Sequence, residues 1–237
     1  MRIDRRALRR ACRVAAAATT ALALAATGVH GQQSRAATEA GARSAQGQSP
    51  DWLPPADHHM HVWSAEARDG LVRLISETRE GEPPQLPTFD GDQAAAQLEA
   101  AGIERGVLLS TAYLFGSPDV DFADEREKVR RENDWVARQV AAHPDRLVAF
   151  FGVNPLADYA GDVARRCAEV DECTGIKLQL ADSDVDLHDE AHVRALRSFF
   201  RTANELGLPV VVHLQTRDED FGAAEVDVFV DRAPYLR

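Results

Sequence analysis

Hydrophobic residues along this chain follow two alternating patterns. Short, nearly continuous apolar runs alternate with stretches in which apolar residues recur every three to four positions. Runs of the first kind read as strands covered on both faces, and stretches of the second kind as amphipathic helices. Asp57–Trp63 predicts the first strand. Asp92–Ala101, Ala-rich with Leu98, predicts a helix, and Gly102 sits where a C-cap belongs. Gly106–Thr111 (GVLLST) predicts a second strand. Between Asp121 and Ala142, the spacing of Val129, Asn133, Val136 and Val140 predicts a second helix. Leu147–Val153 (LVAFFGV) follows as a strand, stopped by Asn154-Pro155, and Tyr159–Val170 as a helix. Gly175–Leu180 predicts the fourth strand, and Val193, Leu196, Phe200 and Ala203 mark a helix ending at Gly207. Pro209–Leu214 predicts the fifth strand and Phe221–Val230 a last helix.

Five consecutive strand-then-helix units imply a parallel sheet with right-handed crossovers. An open doubly wound sheet and a (β/α)8 barrel both fit. No glycine-rich phosphate loop follows the first strand, which weakens a nucleotide-binding open sheet. In a barrel, reactive residues gather at strand C-termini. Here His59 and His61 end strand one, Lys177 and Gln179 end strand four, and His213 ends strand five. The expected fold is therefore α/β, a partial (β/α)8 barrel with about five βα units present.

The chemistry starts with Asp57-His58-His59-Met60-His61. Side chains alternate along a strand, so Asp-x-His-x-His sets two imidazoles on one face. Two neutral imidazoles side by side can grip a divalent metal. They can equally be surface histidines or core histidines with satisfied hydrogen bonds. His58 falls on the opposite face, as packing or support for the ligands. His188 and His192 lie four apart, a ligand spacing, but in an acidic helix start that reads as surface.

Composition divides the chain. Arg2, Arg5, Arg6, Arg9, Arg10 and Arg13 precede the Ala/Leu-rich run Val14–Ala26, which is too short to span a bilayer. Residues 1–31 read as a signal peptide, and Arg5-Arg6-Ala7-Leu8-Arg9 loosely resembles a twin-arginine signal. The expected location is periplasmic or extracellular. Residues 32–50, rich in Ala, Gly, Ser and Gln, read as a disordered linker, and 51–237 as the barrel domain. Without residues 1–31, which hold six Arg and one Asp, 21 basic and 37 acidic residues leave a net charge of −16. Such a surface repels phosphate backbones and anionic lipid, so nucleic acid and membrane are excluded as partners after signal removal. A small-molecule substrate remains. Cys167 and Cys173 allow a disulfide or two reduced thiols, and they lack CxxC spacing.

Taken together, Asp57-x-His59-x-His61, Gly175-Ile176-Lys177 and Val210-Val211-Val212-His213 resemble the amidohydrolase superfamily, in its amidohydrolase-related branch. The resemblance runs from about Ala56 onward. It implies a metal-dependent TIM-barrel hydrolase with His59, His61 and His213 as ligands of a divalent metal, zinc by default. Three protein ligands leave a position for water, whose pKa falls near about 7. The implied reaction cleaves a C–N or C–O bond of an amide, lactone or cyclic ester. A non-oxidative decarboxylase on the same site is the alternative, and a non-catalytic binding protein a third. In the resemblance Lys177 is a substrate contact, an internal ion-pair partner or a carboxylated ligand. Asp57 supports the strand-one turn, and Gln179 and Gln215 line the mouth. The family's strand-six His and strand-eight Asp have no counterpart here. The chain therefore reads as a C-terminally truncated barrel with open sheet edges prone to self-association.

Overall fold

The computed structural model describes residues 55–78 and 80–214. Five parallel strands form one sheet in sequence order, β1 (Ala56–Val62), β2 (Arg105–Ser110), β3 (Leu147–Gly152), β4 (Cys173–Gln179) and β5 (Val210–His213). The sheet curls into half of an α/β barrel, as the strand-helix alternation predicts. Between the strands run α1 (Ala65–Thr78), α2 (Gly91–Ala101), α3 (Glu125–Ala142), α4 (Ala160–Glu169) and α5 (Glu190–Glu205). A short 3-10 turn, Ala112–Gly116, leaves the end of β2. The last predicted helix, Phe221–Val230, lies outside the described residues, as do the signal and linker segments.

Local chemistry sets the ends of these elements. Asp90 caps α2, accepting from the Gln93 amide while Gln93 Oε1 accepts from Asp90 N–H. Gly102 ends α2 at φ 71°, the left-handed C-cap that its position in the sequence predicts. α1 has no counterpart in the predicted elements. Its sequence, AEARDGLVRLISET, carries only three buried residues, Ala67, Gly70 and Leu74, too few for a clear apolar stripe.

The core lies between the convex face of the sheet and the helices. Leu98 of α2, Val129, Val136 and Val140 of α3, and Leu196 and Phe200 of α5 pack with Met60, Leu108, Phe151 and Ile176 of the strands. Full burial of one such side chain contributes about 1.5–3 kcal/mol. Cys167 and Cys173 are joined in a disulfide, Cα atoms 5.2 Å apart, which ties the end of α4 to the start of β4. Of the two states open to the sequence, the structure holds the paired one.

α3 also fastens the sheet to its own backbone. The Asn133 amide donates to the Gly152 carbonyl at 3.0 Å and accepts from the Gly152 N–H at 2.8 Å. A Cβ on Gly152 would sit 2.5 Å from the Ser110 carbonyl oxygen, so only glycine fits beside the end of β2. One residue earlier, Glu132 accepts from the Ser64 N–H (3.1 Å) and hydroxyl (2.5 Å), just past the end of β1. Adjacent side chains of one helix thus hold the C-terminal ends of two strands.

Candidate metal and substrate site

Cross-strand partners in a parallel sheet point to the same side. His61 pairs with Leu109, Leu109 with Phe150, and Phe150 with Gly175. Gly152 pairs with Lys177, Lys177 with Val211, and Gln179 with His213. These residues share the concave face, opposite the helix-packed core. The three histidines, Lys177 and Gln179 all lie on it, as the strand-end argument requires.

β1 carries an irregularity at the histidine motif. Asp57 pairs with Gly106, but the next pair is Met60 with Leu108, so the β1 segment between them holds one extra residue. Such a bulge re-aims side chains. His58 and His59 are both exposed, so His58 is not buried in the packing that its place on the opposite face predicts. The Asp57 carboxylate accepts from the His59 N–H at 2.9 Å and shapes this turn, as expected.

His59 and His61 converge. Their Nε2 atoms stand 3.2 Å apart and their ring centroids 5.0 Å apart. His61 Nδ1 lies 3.1 Å from the Leu109 carbonyl oxygen, which can only accept, so Nδ1 carries the proton and Nε2 presents a lone pair. Burial, then the neighbouring His59 and Lys177, hold His61 down to about 4, so it is neutral at neutral pH. Burial and Lys177 lower His59, with Asp57 opposing. Burial, Lys177 and His59 lower His213. His213 faces His59 edge-on with centroids 6.4 Å apart, and its Nδ1 lies 3.5 Å from Gln179 Nε2. Among the described residues, no group of three or more His, Cys, Asp or Glu side chains is gathered tightly enough to hold a metal by itself. The structure therefore brings His59 and His61 together as a donor pair and sets His213 beside them.

Lys177 is completely buried, and its Nζ has no hydrogen-bond partner. Burial lowers it to about 8, opposed by Asp182. Thr111 Oγ1 and Ser183 Oγ are likewise buried without a partner. Burial, then Asp182, raises Tyr113. Thr111, Tyr113, Asp182, Leu109 and Phe150 were not singled out from the sequence. Thr111 alone had a usable signal, since it directly follows an apolar run and so sits at a strand end. Gln215 lies outside the described residues. His188 is exposed, as expected for a surface residue, whereas His192 is half-buried and its Nδ1 accepts from the Asp186 N–H at 3.0 Å.

The donor set suits a divalent ion: two imidazole Nε2 atoms aim at one point, one of them with its tautomer fixed by a backbone carbonyl. No helix among the described residues is long and apolar enough to cross a membrane.

Comparison with known proteins agrees with this architecture. The amidohydrolase family model matches residues 56–234. No curated protein matches the chain. Among solved structures, a 5-carboxyvanillate decarboxylase from Novosphingobium aromaticivorans, complexed with manganese, is 19% identical with a TM-score of 0.56, covering 74% of this chain and 54% of its own. The 5-carboxyvanillate decarboxylase LigW from Sphingomonas paucimobilis is 16% identical with a TM-score of 0.54, covering 76% and 64%. The IDCase of Metarhizium anisopliae is 14% identical with a TM-score of 0.52, covering 77% and 63%. The chain thus spans between about half and two thirds of these proteins, and at such identities the likeness is one of fold. With its strand order, its histidine pair at the end of β1 and a family match over most of its length, the chain belongs to the amidohydrolase family, whose members are enzymes.

Proposed function

We propose that this chain carries the metal-binding half of a hydrolase that adds water across a C–N or C–O bond of a small organic amide, lactone or ester. The observation that carries the reading is the convergence of His59 and His61 Nε2 atoms at 3.2 Å, with His61 Nδ1 held by Leu109. These two residues hold a divalent ion, with His213 the next donor across the mouth. Such an ion, zinc by default, supplies a Lewis acid for the carbonyl and an activated water at neutral pH. The rest is work of the chain itself. Leu109 keeps His61 in the donor tautomer, Asp57 fixes the backbone of His59, and Gln179 stands against His213. Lowered histidine pKa values keep lone pairs free at pH 7.

The same residues support a second reading, a non-oxidative decarboxylase. Lys177 beside the histidines would draw a carboxylate substrate there under either reading, and release of carbon dioxide tells the two apart.

The test begins with the chain freed of metal by a chelator. Manganese and zinc uptake by calorimetry should fall at least tenfold in His59→Ala and in His61→Ala, and less in His213→Ala. Unchanged uptake in all three variants sinks the metal site and leaves a non-catalytic protein. Screening of aryl amides, lactones and esters then decides the chemistry: incorporation of water marks the hydrolase, release of carbon dioxide the decarboxylase. Residues 1–31 extend the reading to an exported enzyme. Fractionation of expressing bacteria should find the protein in the periplasm or medium, and retention in the cytoplasm refutes export.

A further inference from the structure

Lys177 Nζ and Thr111 Oγ1 are buried without a hydrogen-bond partner, one near the C-terminal end of β4 and the other just past the end of β2. Lys177 pairs with Gly152 across β3 and β4. A Cβ on Gly152 would lie 2.5 Å from the Ser110 carbonyl oxygen and 3.1 Å from the Ala112 nitrogen, so the chain around Thr111 passes directly beside Gly152. Gly152 thus lies between the backbone at Thr111 and that of Lys177. Asp182, in the β4–α5 turn, acts electrostatically on both Lys177 and Tyr113. Nζ of Lys177 and Oγ1 of Thr111 are both buried, and neither makes a hydrogen bond.

A buried ammonium with three unused donors is costly, and so is a buried hydroxyl. A fold keeps such groups where a ligand completes them. Leu109 and Phe150, both buried, share the face and make the surroundings of Lys177 apolar.

We propose that Lys177 Nζ and Thr111 Oγ1 anchor a carboxylate that the substrate keeps throughout the reaction. The substrate is then a small organic acid with an apolar or planar body, and its scissile bond is a separate group turned toward His59 and His61. This deepens the hydrolytic reading and rests on it. The anchor also argues against loss of that carboxylate. Pairing with an ammonium and a hydroxyl stabilises the carboxylate in the ground state. That stabilisation vanishes as carbon dioxide leaves, so it raises the barrier to decarboxylation instead of lowering it.

Benzoate and its neutral isostere benzamide serve as probes, titrated calorimetrically into the full chain after chelation, so that no metal competes for the carboxylate. Benzoate should bind at least tenfold more tightly than benzamide. Lys177→Met should lose at least tenfold in benzoate affinity and Thr111→Val about threefold, while both keep manganese uptake within twofold of the parent. His59→Ala should retain benzoate while losing manganese. Equal binding of benzoate and benzamide, or unchanged benzoate affinity in Lys177→Met, overturns the anchor. Loss of benzoate in His59→Ala also overturns it, by placing the anion on the histidines. A carbamate signal on Lys177 in carbon-13 spectra with labelled bicarbonate does the same, because a carboxylated lysine is anionic. If the parent binds benzoate through Lys177 but takes up no metal, the hydrolase reading falls and the anchor stands.

Discussion

On the convex side of the sheet, Asn133 and Glu132 are buried, and their side-chain oxygens and the Asn133 amide nitrogen are bonded. Lys177, on the concave side, and Thr111, at the end of β2, are buried too, and their side-chain atoms Nζ and Oγ1 make no hydrogen bond. The same five strands supply both faces. The convex face behaves as protein interiors do, where burial of a polar group is matched by a hydrogen bond. The concave face keeps groups that weaken the fold, and a fold tolerates such groups where they serve a ligand. The comparison therefore separates buried polar residues whose side chains are bonded from those whose side chains are not, though both are hidden from water.

Removing a polar group should have opposite signs on the two faces. The largest effect belongs to Asn133→Ala. It strands the N–H and the carbonyl of Gly152 in the interior, at about 1–3 kcal/mol for each group, so a total loss of about 3 kcal/mol is expected in urea unfolding. A loss below about 1 kcal/mol would mean that water or a backbone shift repairs the site, and that the convex face is less closed than its geometry implies.

Glu132 comes next and is read through pH. Burial, the largest cause, raises it to about 6 from 4.5, with Glu66 acting the same way and the Ser64 bonds and Arg138 opposing. The folded chain thus keeps this proton where the unfolded chain has released it. The associated stability is present below about pH 4.5 and is lost as pH rises through about 6, a change of about 2 kcal/mol. Melting temperatures of the parent and Glu132→Gln from pH 4.5 to 7 should converge or cross accordingly, the parent gaining relative to the variant on acidification. Parallel curves would show that Glu132 is ionised throughout.

The two faces also differ in how far they could be read from sequence. Continuous apolar runs marked all five strands, because strands covered on both faces carry little else. Asn133 fell into the helical stripe of α3 at its correct position, although its role as a partner of Gly152 is a tertiary contact with no local signal. α1 was missed because its buried positions are Ala67, Gly70 and Leu74, small residues that leave no stripe. The placement of His59, His61, His213 and Lys177 on one face of the sheet was legible because strand alternation and register set it. The bulge that turns His58 into solvent was not, since it depends on register against β2. Nor was the orphaned state of Lys177, because a missing partner is a property of three-dimensional surroundings.

Lys177→Met gives the next effect and reverses the sign. Replacing a buried ammonium that makes no hydrogen bond by an apolar chain of similar length should raise stability by about 1–2 kcal/mol in the ligand-free protein. A fall in melting temperature would show that Lys177 is part of the structural core and would move it to the other side of the comparison.

Thr111→Val is the smallest change and the cleanest one. The side chains are nearly the same size, so packing is preserved and only the hydroxyl goes. Thr111 Oγ1 is buried without a partner, so the variant should be level with the parent or up to about 1 kcal/mol more stable. Ser64→Ala is the matched control on the convex side. Its hydroxyl donates to Glu132 at 2.5 Å and accepts from the Ala67 N–H at 3.2 Å, so removal should cost about 1–2 kcal/mol. A hydroxyl is lost in both cases, and only the presence of partners differs. If Thr111→Val destabilises as much as Ser64→Ala, Thr111 has a partner in solution, and an open donor for a substrate carboxylate is no longer available at the end of β2.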